Sequence, residues 1–427
     1  MSSFTLRHPL RAAPSPSVAA RPGFRPATAE EAVFTVSLIV VGIHLIVVAS
    51  LSPDRADTAA ALATLAILPA AVLLFRSHSR LIRALLAGAL GLGATAAGLA
   101  HHVARLAVAG PHATDFTGVL LALAGVALVA LAFRVALEGR GLVAKLLAIP
   151  VLLVLVQWFV LPVITAGIAT NTPRPHIASA ASLALPGARD VSFAAGDGTP
   201  LSGWYVPGRG DGAVILMHGS HGTRVDTLPQ LRMLAAAGYG VLAFDARGHG
   251  KSGGQTNAFG WRGADDVAGA FDFLRRQAGV NPEKIAAVGL SMGGEEALRA
   301  AAAGIPLAAV VADGAGASTT GDIRITQKSA IPTSVEWLNM RAVELFSHEN
   351  EPAPLVDVVG RIHVPTLLIA SNASDELATD KAFSRRIGMH ATLWSVPDAG
   401  HTKSLITHPA LYRPRVTSFL SDALAVR

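Results

Sequence analysis

The 427 residues include no cysteine. That absence excludes disulfides, thiolate metal centres and a cysteine nucleophile. Charge is scarce as well: Asp, Glu, Lys and Arg make up 15% of the chain, where a soluble domain carries about 25%. What fills the space is apolar, at 51% hydrophobic residues and a mean hydropathy of +0.47, which excludes disorder for the bulk of the chain.

A net charge of +6 and a pI near 10.0 invite a nucleic-acid partner. The distribution of charge removes that invitation. Residues 1–174 hold 13 basic and 6 acidic residues, whereas residues 175–427 hold 22 and 23. The basicity belongs to the apolar part of the chain, so no nucleic acid is expected as a partner.

Residues 1–31 are rich in Arg, Pro, Ser and Ala without apolar periodicity, and are expected to form a disordered tail. Five long apolar stretches follow, at 33–51, 58–75, 84–104, 116–133 and 146–168. Each approaches the roughly 20 residues that a helix needs to cross a bilayer. A transmembrane helical domain is expected over 32–168, with four or six spans as the alternatives to five. The first stretch is longer than a secretory signal core, which favours an uncleaved anchor.

Orientation follows from the bias of Lys and Arg in short loops. Arg7, Arg11, Arg21, Arg25, Arg76, Arg80, Arg83, Arg134, Arg140 and Lys145 fall on one side of five spans. Only Arg55, Arg105 and Arg174 fall on the other. The N-terminus is therefore expected in the cytoplasm. An odd count then places the rest of the chain outside, in what is expected to be a bacterial cell membrane. Ala87, Gly91 and Thr95, and likewise Ala89, Gly93 and Ala97, repeat at four-residue spacing and suit close helix packing. His44, within the first span, is expected as a neutral imidazole bonded inside the bundle, and His101, His102 and Arg105 as a polar cluster at a membrane edge.

Composition changes abruptly over 169–186, which is expected to be a linker. Residues 187–427 are long enough for one large α/β domain. Short apolar runs at 191–193, 201–206, 213–217, 241–244, 285–290, 307–312, 366–370 and 392–396 read as strands. Helical patterns at 227–237, 263–277, 293–303, 379–387 and 409–425 lie between them. The first two runs predict an antiparallel hairpin, and the later alternation predicts a mostly parallel, doubly wound sheet.

Chemistry collects at the ends of these strands. Gly289-Leu290-Ser291-Met292-Gly293-Gly294 follows the run 285–288 and opens a helix. A serine flanked by glycines in a strand–turn–helix setting is held on a tight turn that lifts its Oγ clear of the backbone. A serine nucleophile needs a base, and the base needs an orienting carboxylate. His401, in Asp398-Ala399-Gly400-His401 after the last strand, is the candidate base. For the carboxylate, Asp375 follows the strand 366–370, with its neighbour Glu376 and Asp313 as alternatives. An oxyanion requires two N–H donors. These are expected from Met292 and from Ser220, in Met217-His218-Gly219-Ser220-His221-Gly222. His218 and His221 lack an acidic partner nearby, so no metal is expected. Neither a dinucleotide fingerprint, a P-loop nor a His-Glu-x-x-His motif is present, so no cofactor is expected.

From about residue 190 onward the chain resembles the α/β-hydrolase superfamily, in particular its single-domain esterases and dienelactone-hydrolase-like members. The resemblance rests on His218-Gly219, on Asp245-Ala246-Arg247-Gly248-His249-Gly250-Lys251-Ser252, on the turn around Ser291, on Asp375 and on Gly400-His401. It implies a catalytic triad of Ser291, Asp375 and His401, and an architectural role for the 245–252 loop. Dienelactone hydrolases proper use cysteine, and this chain departs from them there. The 51 residues at 314–364, with Trp337, Met340 and Phe346, are expected either to contribute to an acyl or alcohol pocket or to form one extra helix packed on the sheet.

The combined expectation is a membrane-anchored serine hydrolase acting on a small-molecule or lipid-like carboxylic ester, or on a thioester or amide. Acyl transfer by the same triad is one alternative. A transport or sensing bundle carrying a non-catalytic hydrolase-like binding domain is the other.

Overall fold

The computed structural model describes residues 27–51, 55–103, 106, 113–172, 174–254, 258–326, 333–371 and 376–425. Of the expected tail, residues 1–26 lie outside this set. Among the described residues, five helices are long and apolar enough to cross a membrane: Ala29–Leu51, Thr58–Ser77, Arg80–Ala100, Asp115–Leu137 and Leu142–Thr170. They coincide with the five apolar stretches of the sequence.

These helices turn large apolar side chains outward, such as Val36, Ile39 and Ile43 on the first and Leu146, Ile149 and Leu153 on the fifth. They keep small residues inside. A Cβ at Gly91 would lie 2.7 Å from the Val129 backbone nitrogen and 2.8 Å from the Gly125 carbonyl, so the third and fourth helices touch backbone to backbone there. The row Ala87, Gly91, Thr95 is thus a packing face. The row through Gly93, where an added Cβ meets nothing within 4 Å, faces away. The histidines described inside the bundle are paired, as a medium without water favours. His44 Nδ1 lies 3.1 Å from Thr117 Oγ1, its ring meets that of His102 edge-on, and His102 Nδ1 lies 3.3 Å from Asp115 Oδ1. His102 is therefore buried; the side chains of His101 and Arg105 lie outside the described residues.

The second half folds around an eight-stranded sheet: β1 (Arg189–Ala194), β2 (Pro200–Val206), β3 (Ala213–Met217), β4 (Gly240–Asp245), β5 (Ile285–Leu290), β6 (Val310–Asp313), β7 (Thr366–Ala370) and β8 (Ala391–Ser395). Its order is β1-β2-β4-β3-β5-β6-β7-β8. The β1–β2 and β2–β4 pairs are antiparallel and the other five are parallel. Strands β3 to β7 are buried at every position. Both faces are covered by helices, which is why these runs are apolar throughout instead of alternating. Ile215, Leu242, Ala287 and Leu368 point to one core, shared with helices Gly263–Leu274, Met292–Ala302 and Glu376–Ile387. Val214, Val241, Val288 and Leu367 point to the other, closed by Leu228–Ala236 and Pro409–Ala425.

After β3 the chain steps to one side to make β4, then crosses back to make β5 on the other. The carboxyl ends of β3 and β5 therefore flank a crevice left open by diverging connections, the usual place for a ligand in such sheets. Ser220 and Ser291 both lie just beyond these two ends.

Residues 169–186, marked as a linker by composition, lie against this domain. Thr172 Oγ1 donates to the Gly248 carbonyl, and Arg174 donates to the carbonyls of Ser252 and Gly254. Ile177, Ala180 and Leu183 are buried in the second core. Three apolar residues spread over seven positions are enough to seat the strap, but too sparse to produce a periodic pattern.

Candidate active site

Ser291 sits at φ 51°, ψ −119°, a left-handed conformation that an L residue adopts only where its surroundings enforce it. The enforcement is visible around it. Its N–H donates to the Asp313 carbonyl at 2.8 Å, and its own carbonyl receives the Gly294 N–H at 2.8 Å. A Cβ on Gly293 would lie 2.7 Å from the Met217 Cβ and 2.8 Å from the His218 carbonyl oxygen. Glycine is needed there because the Ser291 turn presses directly on the loop after β3. Gly219 in that loop comes equally near: an added Cβ would lie 3.2 Å from the Cβ of Ser291.

Ser291, His401, Glu376, Ser220 and Met292 line a single cavity of about 560 Å³. Four of these five are sequence-derived site residues, and the fifth, Glu376, was the alternative acid. His401 Nδ1 bonds to Glu376 Oε1. The other carboxylate oxygen accepts the Ser371 N–H at 2.9 Å and the Ser371 hydroxyl at 2.7 Å. Asp375, the expected acid, lies outside the described residues; the carboxylate that meets His401 is its neighbour's. Glu376 is the first residue of a helix. Its side chain turns back from the helix start to reach both Ser371, just beyond β7, and the histidine.

Three buried carboxyl groups, Glu376, Asp313 and Glu295, act on this histidine, and a fourth, Asp380, lies behind them. Burial raises Glu376, but the bonds from His401 and Ser371 together outweigh it and hold the group below its ordinary range. Burial pushes Asp313 up to about 7, only partly offset by the Tyr412 hydroxyl and by His401. Burial likewise pushes Glu295 to about 7 and Asp380 well above the carboxylate range. Asp313 is therefore a proton-holding neighbour in the neutral range, whereas Glu376 is a carboxylate. The Glu376 bond, opposed by partial burial, raises His401 above the ordinary imidazole value. With Nδ1–H given to Glu376, the Nε2 lone pair is left able to accept a proton.

Neither histidine of the β3 loop is a free ligand. His218 Nδ1 donates to the Gly219 carbonyl at 2.7 Å and Nε2 accepts the Ala246 N–H at 3.0 Å, a neutral ring that shapes the loop; burial lowers its pKa further. His221 Nε2 reaches 3.0 Å to the carbonyl of Ile168, near the end of the fifth apolar helix. The 245–252 loop is architectural. Asp245 accepts from the Arg224 backbone and guanidinium and from the Lys251 N–H, and Arg247 pairs with Asp266 and Asp197.

The 314–364 segment contributes Gly316, Ala317, Ser318, Ile323 and Glu336 to the cavity. Trp337 is more than half exposed and is absent from the cavity wall, while Met340 packs against Ala166 of the fifth apolar helix. Glu295 was not singled out from the sequence. Its Oε1 accepts the Gly316 N–H at 3.2 Å, and it faces the cavity one helical turn after Ser291. The only sequence signal is a Glu295-Glu296 pair in a short helix otherwise made of Met, Gly, Ala, Leu and one Arg.

The family model described as serine aminopeptidase, S33, matches residues 208–344. The uncharacterized protein YfhR of Escherichia coli (strain K12) is 30% identical over 252 residues, covering 56% of this chain and 82% of its own length. An uncharacterized protein of Mycobacterium tuberculosis (strain H37Rv) is 31% identical over 248 residues, 57% of this chain and 82% of its own. A solved structure of an esterase from Pyrococcus furiosus aligns at 28% identity over 60% of this chain and 98% of its own, with a TM-score of 0.48.

Proposed function

The chain belongs to the α/β-hydrolase superfamily, and from that premise we propose that it is a membrane-anchored serine hydrolase that cleaves carboxylic esters through an acyl-enzyme on Ser291. The observation that carries this reading is the Glu376–His401 pair opening on the same cavity as a serine held in a strained, glycine-flanked turn. The Ser291 hydroxyl attacks the ester carbonyl while His401 Nε2 takes its proton. The N–H groups of Met292 and Ser220 receive the developing oxyanion. His401, now imidazolium and held by Glu376, returns the proton to the departing alcohol. Water then attacks the acyl carbon as its proton passes to the same nitrogen, and His401 returns that proton to Ser291 Oγ as the bond to the acyl carbon breaks and the acid leaves.

The five apolar helices serve as the anchor, with the N-terminus cytoplasmic and the catalytic domain on the opposite side. Support comes from the Lys and Arg bias of the loops and from the outward apolar faces of the bundle. A fluorophosphonate probe tests the chemistry. The wild-type protein is expected to label and Ser291→Ala is not; equal labelling of the two, or a folded wild-type that fails to label, refutes the mechanism. Protease added to intact cells is expected to reach the C-terminal domain, and protection would reverse the orientation.

A further inference from the structure

A second cavity, of about 290 Å³, lies against the first. It is the gap between the end of the fifth apolar helix and the helix Thr333–Ser347. Leu161 and Pro162 form one wall, and Val335 and Met340 the other. Ile323 and Glu336 line both cavities, so the two spaces meet at that pair of side chains. The gap has a fixed width. Asn339 Nδ2 donates to the Pro162 carbonyl at 2.8 Å and to Thr165 Oγ1 at 2.6 Å, tying the two helices together along it. Just before Pro162 the fifth helix passes through a π turn, Val156–Val160, which places Gln157 on the same gap. Such turns are concentrated at functional sites.

We propose that this groove holds the acyl chain of the substrate, and that the chain enters from the bilayer along the fifth helix to present its ester carbonyl to Ser291. The inference rests on the ester-hydrolase reading and adds to it a substrate class, uncharged long-chain acyl esters. One wall of the groove is a segment of an apolar helix built to stand in lipid, so its mouth opens where acyl chains already are. The catalytic cavity continues the same apolar lining through Met292, Phe259 and Ala317. The acidic groups that line it beside His401 are Glu336 and Glu376, with Glu295, which burial pushes to about 7, and among the described residues no Lys or Arg lines it. A wall of that sign repels an anionic group carried near the ester and accepts a neutral one. The alcohol portion leaves toward His401, whose side chain is half exposed.

The test uses the full-length protein in nanodiscs and a series of neutral 4-nitrophenyl esters from acetate to laurate. Burial of each added methylene in an apolar groove is expected to raise kcat/KM by about fourfold, until the groove is full. Leu161→Trp and Thr165→Phe, both on the wall formed by the fifth helix, are expected to cut the laurate-to-acetate ratio of kcat/KM by tenfold or more. Leu411→Trp, exposed on the C-terminal helix, leaves that ratio as in the wild type. Acetate turnover with a flat chain-length profile, or a ratio untouched by both groove variants, overturns the groove while leaving the hydrolase standing. If no ester is turned over and no fluorophosphonate of any chain length labels Ser291, the hydrolase reading has failed and the groove falls with it.

Discussion

Replacing Glu376 by glutamine separates two adjacent acidic residues that the sequence leaves as rivals. The substitution keeps shape and removes one acceptor. Glu376 Oε2 now receives two donors from Ser371, one of them a backbone N–H that cannot rotate away, and Oε1 receives His401 Nδ1. A glutamine must therefore turn its carbonyl toward Ser371 and its NH₂ toward His401. Two donors would then face each other, unless the imidazole moves its proton to Nε2. That tautomer relieves the clash and leaves the nitrogen facing the substrate without a lone pair.

The analogous acid-to-amide change in a serine-protease triad lowers kcat by about 10⁴, equivalent to about 5 kcal/mol of barrier. The same order is expected here, because the bond lost and the tautomer imposed are the same. Steady-state hydrolysis of a short ester measures it, with thermal unfolding run alongside to show that the protein is folded. Asp375→Asn is the paired measurement and is expected to retain activity within roughly threefold. The reasoning is refuted if Glu376→Gln keeps a tenth or more of wild-type kcat, or if Asp375→Asn loses as much as Glu376→Gln is expected to lose.

Two further outcomes follow from burial and packing. Asp313 is held protonated to about 7 by burial, well above the value of an unfolded carboxyl. Between those pH values the folded state binds the extra proton, so stability falls as pH rises from about 4 to 7; Asp313→Asn removes this loss and is expected to raise Tm more at pH 8 than at pH 5, and an equal effect at both would refute it. In the bundle, a Cβ on Gly125 would come within 2.5 Å of Thr95 Oγ1, whereas one on Gly93 meets nothing; Gly125→Val is expected to lower the unfolding temperature of the detergent-solubilised protein by several degrees and Gly93→Val to leave it unchanged, and equal effects would sink the assigned packing face.

Most of the sheet was legible because its strands are apolar for a simple reason. A strand covered on both faces cannot alternate, so 213–217, 285–290 and 366–370 stand out as unbroken runs. The nucleophile turn was legible because its glycines answer to sterics, and Gly293 touching the β3 loop is the contact they serve. The acid was not. Asp375 and Glu376 differ by one residue at the start of a helix, and the choice depends on where that helix begins and how far each side chain reaches. Neither quantity leaves a mark in composition. Glu295 escaped for a related reason: a carboxyl group buried beside a cavity resembles an ordinary surface glutamate until its neighbours are known.

The least legible feature is how closely the apolar bundle and the catalytic domain are built into one another. A change in composition at 169–186 suggests two units joined by a tether, yet the end of the fifth helix is part of the domain's own packing. Ala166 is buried with Ala258, Trp261, Met340 and Val343. Ile168 supplies the acceptor for His221, one residue beyond Ser220. Asn339 grips Pro162 and Thr165, and Thr172 and Arg174 hold the loop after β4. The loop that carries Ser220 and the helix Thr333–Ser347 are thus both held by residues between 161 and 174. A domain cut at residue 175 would keep every residue of the proposed triad and lose these supports. The fifth helix is better regarded as an element of the active-site architecture that also lies in the apolar bundle than as a stalk beneath an independent enzyme.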